Sequence, residues 1–288
     1  MIPDSETNRI YFSELLKTNS RFSCTCLRIT SLLDSFGVSY KFLPDTKDIW
    51  ARDYMPIQVK PDKFIEFRYD PDYLQGTSMD IETREIKTYP DIVCHSINLK
   101  TIKTDIILDG GNIVRSSNAI ILTDKILEEN RLTYSKNKLL DKLHDLFEVD
   151  KVILIPWDKD CDFGHSDGML RFINNETVLI SGFYNSDEDD FTERILKPLK
   201  QNKIECEWLK CSDKEEDERN IAYINFLQTK DLIIVPKLNV REDNRAFEQI
   251  EKYYPDYAIN KKIAQVDLTE IVKFGGALNC ISWTILGR

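Results

Sequence analysis

The chain has three histidines among 288 residues. One of them, His165, stands in FGHSDGMLRF (163–172), between Gly164 and Gly168, with Asp167 two places on. Imidazole changes charge near neutrality and can pass a proton in either direction. Glycine neighbours permit unusual backbone angles and close approach. In an extended stretch, His-x-Asp puts both side chains on one face, so a base and an anion can enter one pocket. The plain alternatives are a structural histidine and a turn carboxylate bonded to its own backbone. His144 lies at the edge of an amphipathic helical pattern, and His95 sits in IVCHSIN with no carboxylate beside it; both suit packing or surface roles.

Three other stretches carry chemistry-bearing types. In DIWARDYMP (48–56), Trp50, Arg52 and Asp53 precede a proline. An aromatic wall and a carboxylate both attract a cation; a surface salt bridge beside a packed tryptophan is the simpler account. In ILDGGN (107–112), Asp109 precedes two glycines. It either orients a histidine, as carboxylates do, or belongs to a tight turn. In GGALNCISWTILGR (275–288), Cys280 follows a glycine pair. A lone cysteine is usually a small buried hydrophobe, and becomes a nucleophile only where a cation or histidine lowers its pKa. The other six cysteines lack the glycine-pair setting.

The elements that must position these residues alternate along the chain. Strand-like runs, rich in Ile, Val and Phe and bounded by turn residues, are RIYFS (9–13), KFIEFRY (63–69), TDIILD (104–109), NAIILT (118–123), KVILIP (151–156), ETVLIS (176–181), IECEWL (204–209) and DLIIVP (231–236). Helical patterns fall between them. Residues 20–37 space Phe22, Cys26, Ile29 and Leu33 by three and four and end at a glycine. Residues 136–147 put Leu139, Leu140, Leu143 and Phe147 on one stripe. Residues 187–201 start acidic and end basic, which suits the helix dipole, and 241–255 end at a proline. TDIILDGGNIV (104–114) and TEIVKFGGALNCISW (269–283) echo each other: a strand-like entry, a Gly-Gly pair, an Asn, an apolar exit. Repetition of that kind places related loops on one face of a repetitive architecture.

Composition narrows the classes. Apolar content of 42% and charge of 31% fit an α/β globule of one large domain or two. A net charge of −10 argues against nucleic acid and is compatible with a cationic small substrate. Seven cysteines, an odd number, fit free thiols rather than a disulfide frame. Cys24-x-Cys26 and Cys206-x4-Cys211 are poor zinc spacings, so no metal site is expected. There is no phosphate loop and no GxGxxG after a strand. No apolar run reaches membrane-span length, and the N-terminus lacks a basic start and an early apolar core, so a cytoplasmic protein without a membrane partner is expected.

WARDYMP, LDGGN, GHSDGMLRF and GGALNC, in that order, together with IPDSETNRIYFS and AIILTDKILEENR, resemble the agmatine deiminase and bacterial-type peptidyl-arginine deiminase family of guanidine-modifying enzymes. The likeness covers nearly the whole chain. It implies a five-bladed α/β propeller of ββαβ-type units (the pentein fold) as one domain over residues 1–288, with the active site at its centre. It implies Cys280 as nucleophile, His165 as general acid/base, Asp53 and Asp167 as the carboxylates that grip a guanidinium, and Asp109, where relatives often carry Glu, as the residue that orients the histidine. Trp50 is placed at the pocket mouth, and Arg52 and Asn112 complete the expected substrate-binding set. The implied reaction needs neither metal nor organic cofactor. Agmatine, giving N-carbamoylputrescine and ammonia, is the leading substrate; free or peptide-bound arginine is second. Amidino transfer and a non-catalytic guanidine-binding protein of the same fold are the further alternatives, and a homo-oligomer is compatible with either. Two departures from the family pattern, Met55 where relatives have Gly and Asn279 where agmatine deiminases have His, are expected around the substrate tail.

Overall fold

The computed structural model describes residues 1–75, 85–161, 163–185, 190–210 and 221–287. Its strands form five sheets of three strands each. Every sheet follows one plan. A first strand pairs antiparallel with a central strand, and the central strand pairs parallel with a third. A parallel pair cannot be joined by a tight turn and needs a crossover. The crossovers contain the helices, which is why the sequence alternates between strand and helical patterns.

In chain order the central strands are Arg9–Ser13, Lys63–Arg68, Ala119–Thr123, Thr177–Ser181 and Ile233–Lys237. Four lie within sequence-predicted runs and Ile233–Lys237 overruns its run (231–236) by one residue; burial on both faces makes them short apolar stretches. Ala119–Thr123 is buried at every position. The first strands are Ile57–Lys60, Val114–Arg115, Leu170–Phe172, Leu227–Gln228 and, for the blade that holds the N-terminal strand, Ser282–Ile285. That last strand pairs with Arg9–Ser13 in the register Ile10↔Thr284 and Phe12↔Ser282. The two ends of the chain thus meet in one sheet and close a five-bladed α/β propeller.

Helices cover the sheets through apolar stripes. Lys136–Phe147 has the predicted bounds and buries Leu139, Leu143 and Phe147, while Leu140 is only partly covered. Its partners include Ile65, Phe67, Ile106, Ile120 and Leu122 from two adjacent sheets. Truncating Phe147 to alanine would cost about 3–5 kcal/mol as lost burial plus a cavity. Ser23–Ser35 buries Cys26, Ile29 and Leu33, and the chain turns at Gly37 with φ of 66°. Asp190–Gln201 and Glu242–Tyr253 take up the other two helical patterns. The strand read at 104–109 runs instead over Ile102–Ile107, which leaves Asp109 in the connection beyond it. Among the described residues no helix is long and apolar enough to cross a membrane.

Candidate active site

Each blade is joined to the next by a connection that ends just before a first strand. Each connection delivers one buried Asp or Asn there: Asp53, Asn112, Asp167, Asn225 and Asn279. Hydrogen bonds link the connections in sequence around the propeller axis. Gly111 N donates to Asp53 Oδ1 at 3.0 Å. Thr123 N donates to Asn112 Oδ1, and Thr123 Oγ1 to the Gly164 carbonyl. Asn225 Nδ2 donates to the Asp167 carbonyl at 3.3 Å. Asn279 N donates to the Asn225 carbonyl at 3.0 Å, and Arg52 N to the Cys280 carbonyl at 3.0 Å. The two echoed Gly-Gly stretches are two of these five connections.

His165 is positioned by its neighbours in this ring. Gly164 has φ of 63°, a conformation that costs other residues free energy, and the Ser166–Gly168 turn follows His165 directly. Nε2 of His165 lies 3.1 Å from Asp109 Oδ2, and Nδ1 lies 3.6 Å from Asp53 Oδ1. The Tyr73 hydroxyl donates to the same Asp109 oxygen at 2.8 Å. Gly111 is required by close approach: a Cβ there would stand 2.5 Å from both Asp53 Oδ1 and His165 Nδ1.

Cys280 is buried in the turn before the closing strand Ser282–Ile285. Its sulfur lies 3.3 Å from Asn225 Oδ1 and 3.8 Å from Asp167 Oδ2. Asp167 Oδ2 also accepts from Asn279 Nδ2 at 2.6 Å. Asn279 in turn is held by Arg52, whose Nη2 donates to Asn279 Oδ1 at 2.8 Å. Behind Arg52 sits Asp4, which pairs with Arg115 at 2.7 Å, Arg171 at 2.9 Å and Arg52 at 3.6 Å. Three buried guanidiniums on one carboxylate keep the far side of the ring rigid, since buried charges must be paired.

A cavity of about 230 Å³ opens onto this set. Asp53, His165 and Cys280 form its floor, and Trp50, Tyr69, Tyr73, Phe163 and Phe274 supply aromatic walls. Asp48 lies on its wall, with its oxygens accepting from Trp50 N at 2.8 Å and Thr88 Oγ1 at 3.3 Å. No Lys or Arg lines it among the described residues. A second cavity, of about 290 Å³, is lined by Asp4, Arg115, Arg171, Asn279 and Asp167 and does not include Cys280 or His165.

Electrostatics follow from burial among carboxylates. Burial pushes Asp53 up to about 8, and the charges of Asp109, Asp167 and Asp48 push the same way while His165 opposes them. Burial works against the charged form of His165, but Asp53, the hydrogen bond and charge of Asp109, and Asp167 outweigh it and raise it to about 10. The Cys280 thiol is pushed well up by burial, then by Asp167 and Asp53. These surroundings favour the protonated forms of both the His165 imidazole and the Cys280 thiol. A bound cation would cancel the carboxylate field that keeps the sulfur protonated. Among the described residues no group of three or more His, Cys, Asp or Glu side chains is arranged to hold a metal ion.

The structure places Cys280, His165, Asp53 and Trp50 on the cavity, with Asp109 behind them against His165 and Asp167 3.8 Å from the sulfur but lining the second cavity; the other expected residues have partners elsewhere. Arg52 turns to the opposite side, where Asn279 and Asp4 satisfy its guanidinium. Asn112 is spent on the Thr123 amide. Neither lines the cavity. Asn279 and Met55 are not at a substrate tail either: Asn279 sits between Arg52 and Asp167, and Met55 is packed in a core with Tyr11, Leu43 and Tyr54. His165 and Asp167 do not share an extended stretch. Only His165 is extended, a single 3-10 turn carries Asp167, and the strand begins at Leu170. Gly168, unlike Gly164, does not have a positive φ. His95 is exposed, and His144 bonds the Val149 carbonyl, in keeping with their packing or surface roles. Cys211 lies outside the described residues. Tyr73, Asn225, Asp48 and Asp4 had no local signature. The only sequence signal for Asn225 is its place in the repeat, a polar residue just before a first strand.

The family model described as Porphyromonas-type peptidyl-arginine deiminase matches residues 15–285. A protein of Enterococcus faecalis named "Putative agmatine deiminase" is 31% identical over 225 residues, which is 66% of this chain and 60% of that protein. The matched stretch thus spans less than two thirds of that relative's length. A solved structure described as "C. Jejuni Agmatine Deiminase" matches with a TM-score of 0.74 at 20% identity, over 100% of this chain and 96% of the other. The agmatine deiminase of Enterococcus faecalis matches with a TM-score of 0.75 at 19% identity, over 99% and 95%. At such identities the solved structures establish the common fold.

Proposed function

Since the chain belongs to the Porphyromonas-type peptidyl-arginine deiminase family, we propose that it hydrolyses the guanidinium of a small cationic substrate, with agmatine foremost, to a ureido product and ammonia. The observation that carries this proposal is the convergence of Cys280, His165 and Asp53 on one cavity floor, with Asp167 3.8 Å from the sulfur. A guanidinium is planar and permanently charged, and presents a fork of N–H donors. Asp53 and Asp167 accept those donors and fix its plane. Its central carbon is a poor electrophile, so it needs a strong nucleophile held at attack distance.

Binding of the cation lowers the cost of a sulfur anion beside Asp167 and Asp53. The thiol proton passes to solvent, and the Cys280 thiolate adds to the central carbon, forming the C–S bond as the C=N π pair moves onto nitrogen. His165, held as imidazolium by Asp109, gives its proton to the leaving nitrogen. The C–N bond breaks, ammonia departs, and an amidino-thioether remains on Cys280. The neutral imidazole then takes a proton from water, whose oxygen adds to the same carbon. The C–S bond breaks as the hydroxyl on the carbon becomes the carbonyl and its proton passes to sulfur, releasing the ureido product and the thiol. No step calls for a metal or an organic cofactor, and residues 1–288 act as one cytoplasmic deiminase domain.

The wall favours agmatine over free arginine. Asp48 and the aromatic rings suit an ammonium tail, and the described lining offers no cation to an α-carboxylate. Peptide-bound arginine, which lacks that carboxylate, is the second proposal, favoured by the description of the matched family model. The test compares ammonia release from agmatine, arginine and short arginine peptides, with and without an added amine acceptor, and weighs the Cys280 peptide after rapid quenching. Agmatine turnover with a transient mass gain on Cys280 is expected. A new guanidine made from the acceptor would point to amidino transfer. No turnover of any guanidine would defeat the proposal and leave a binding protein.

A further inference from the structure

Asn225 lies in the fourth connection, directly after the helical turn Ile221–Ile224. It is 3% exposed and does not line the substrate cavity. Its side-chain oxygen is a convergence point. The backbone amide of Asn279 donates to it at 3.1 Å, that of Cys280 at 3.2 Å, and the Cys280 sulfur lies 3.3 Å away. Two fixed backbone donors decide which end of the amide faces the sulfur, since an amide group is oriented by the network it satisfies. Its nitrogen then points the other way, to the Asp167 carbonyl at 3.3 Å. One side chain therefore ties the turn that carries the nucleophile to the turn that carries a guanidinium-gripping carboxylate.

We propose that Asn225 is a positioning residue of the reaction, fixing the Cys280 sulfur relative to Asp167 so that a guanidinium held by the carboxylate meets the sulfur at attack distance. This rests on the deimination proposed above. A small displacement of a reacting atom is costly in rate, and Asn225 touches the reacting atom without touching the cavity where substrate binds. Its loss therefore acts on kcat rather than on KM. The carboxylates that act on the sulfur are Asp167 from the third connection and Asp53 from the first, and His165 from the third lines the same cavity; the Arg52 guanidinium reaches the turn through Asn279.

Two variants of the full chain test this. Asn225→Asp keeps size and an acceptor for the two amides but sets a negative charge beside the sulfur. Asn225→Ser removes the reach to either turn. Each is measured for agmatine kinetics and, without substrate, for the rate of Cys280 alkylation by iodoacetamide between pH 7 and 10, followed by peptide mass. Expected in both is a fall in kcat of about tenfold or more with KM nearly unchanged. In Asn225→Asp, alkylation is expected to slow roughly fivefold or more at each pH, because an added anion disfavours the thiolate. Parent-like kcat in both variants, or unchanged alkylation in Asn225→Asp, would overturn the proposal. Unfolding of both variants, seen by circular dichroism, would overturn it too, by assigning Asn225 to the scaffold alone. If the parent turns over no guanidine, the deimination fails by itself, and the alkylation rates still report whether Asn225 governs the sulfur.

Discussion

Asp109 Oδ2 lies 3.1 Å from His165 Nε2, while Asp109 Oδ1 is buried without a hydrogen-bond partner among the described residues. The carboxylate thus directs its bonding at the imidazole, with the Tyr73 hydroxyl on the same oxygen. This leaves Nδ1, on the Asp53 side of the ring, to meet a leaving nitrogen.

Asp109→Asn removes a charge and a hydrogen bond that raise His165 towards about 10. The proton on His165 is then lost at lower pH. The alkaline limb of kcat/KM is expected to move down, with activity at pH 9 falling further than at pH 6, and kcat to drop about a hundredfold for an impaired general acid. The pH–rate profile of the variant checks this. An alkaline limb in the parent's place would remove Asp109 from the proton-transfer step.

Gly111→Ala puts a methyl group 2.5 Å from Asp53 Oδ1 and His165 Nδ1 at once. Both side chains are nearly buried, so neither has room to yield freely. Overpacking of this kind costs about 1–3 kcal/mol, and here the displaced groups are the proposed catalytic ones. Activity is expected to fall far more than thermal stability does. Comparison of kcat with the melting temperature checks this, and a variant with parent-like kcat would show that the Asp53–His165 spacing is not critical.

What could be seen in the sequence depended on how local its cause was. The helix at 136–147 was legible because every third or fourth residue meets the same sheet. The central strands were legible because burial on both faces makes an apolar run. The first strands Val114–Arg115 and Leu227–Gln228 span two residues each, too few to show any period. Gly111 and Gly164 flagged the site because close approach and a positive φ demand glycine wherever they occur. Tyr73 and Asn225 are ordinary residues locally, and acquire their partners only when the ring closes. Arg52 was misplaced for the same reason: it stands beside Asp53 in sequence, but one helical turn points the two in different directions.

Asp53 ties function to stability. Its folded pKa, about 8, is above its ordinary value near 3.8. The folded state therefore binds a proton that the unfolded state has released. That contribution is fully present below about pH 4 and is lost as pH rises through about 8. His165 adds to the trend, being raised to about 10 from 6.5. Asp53→Asn carries no such proton and weakens the pull on His165. Its melting temperature is expected to decline less than the parent's between pH 6 and pH 9, while turnover is lost. Parallel melting curves across that range would contradict the placement of Asp53 as a buried, field-strained carboxylate.

Asp4 works in the opposite sense, at the other side of the ring. Burial alone would raise its pKa, but Arg115, Arg52 and Arg171 together hold it well below the usual carboxylate range. Its contribution is therefore present above its ordinary value of 3.8 and disappears as pH falls through the depressed folded value. Asp4→Ala leaves three buried guanidiniums without their shared anion, at a cost of about 3 kcal/mol. At pH 7 the variant is expected to melt about 5–10 °C below the parent, and the gap should narrow under strong acid, where the parent also protonates. Arg52 bears on both Asp4 and Asn279, and Asn279 holds Asp167 at 2.6 Å. Loosening Asp4 should then reduce kcat even at temperatures well below melting. Melting curves at pH 7 and pH 3, together with kcat in the cold, separate the two effects: a stability loss with parent-like kcat would confine Asp4 to the scaffold and break the proposed link from the N-terminal segment to Asp167.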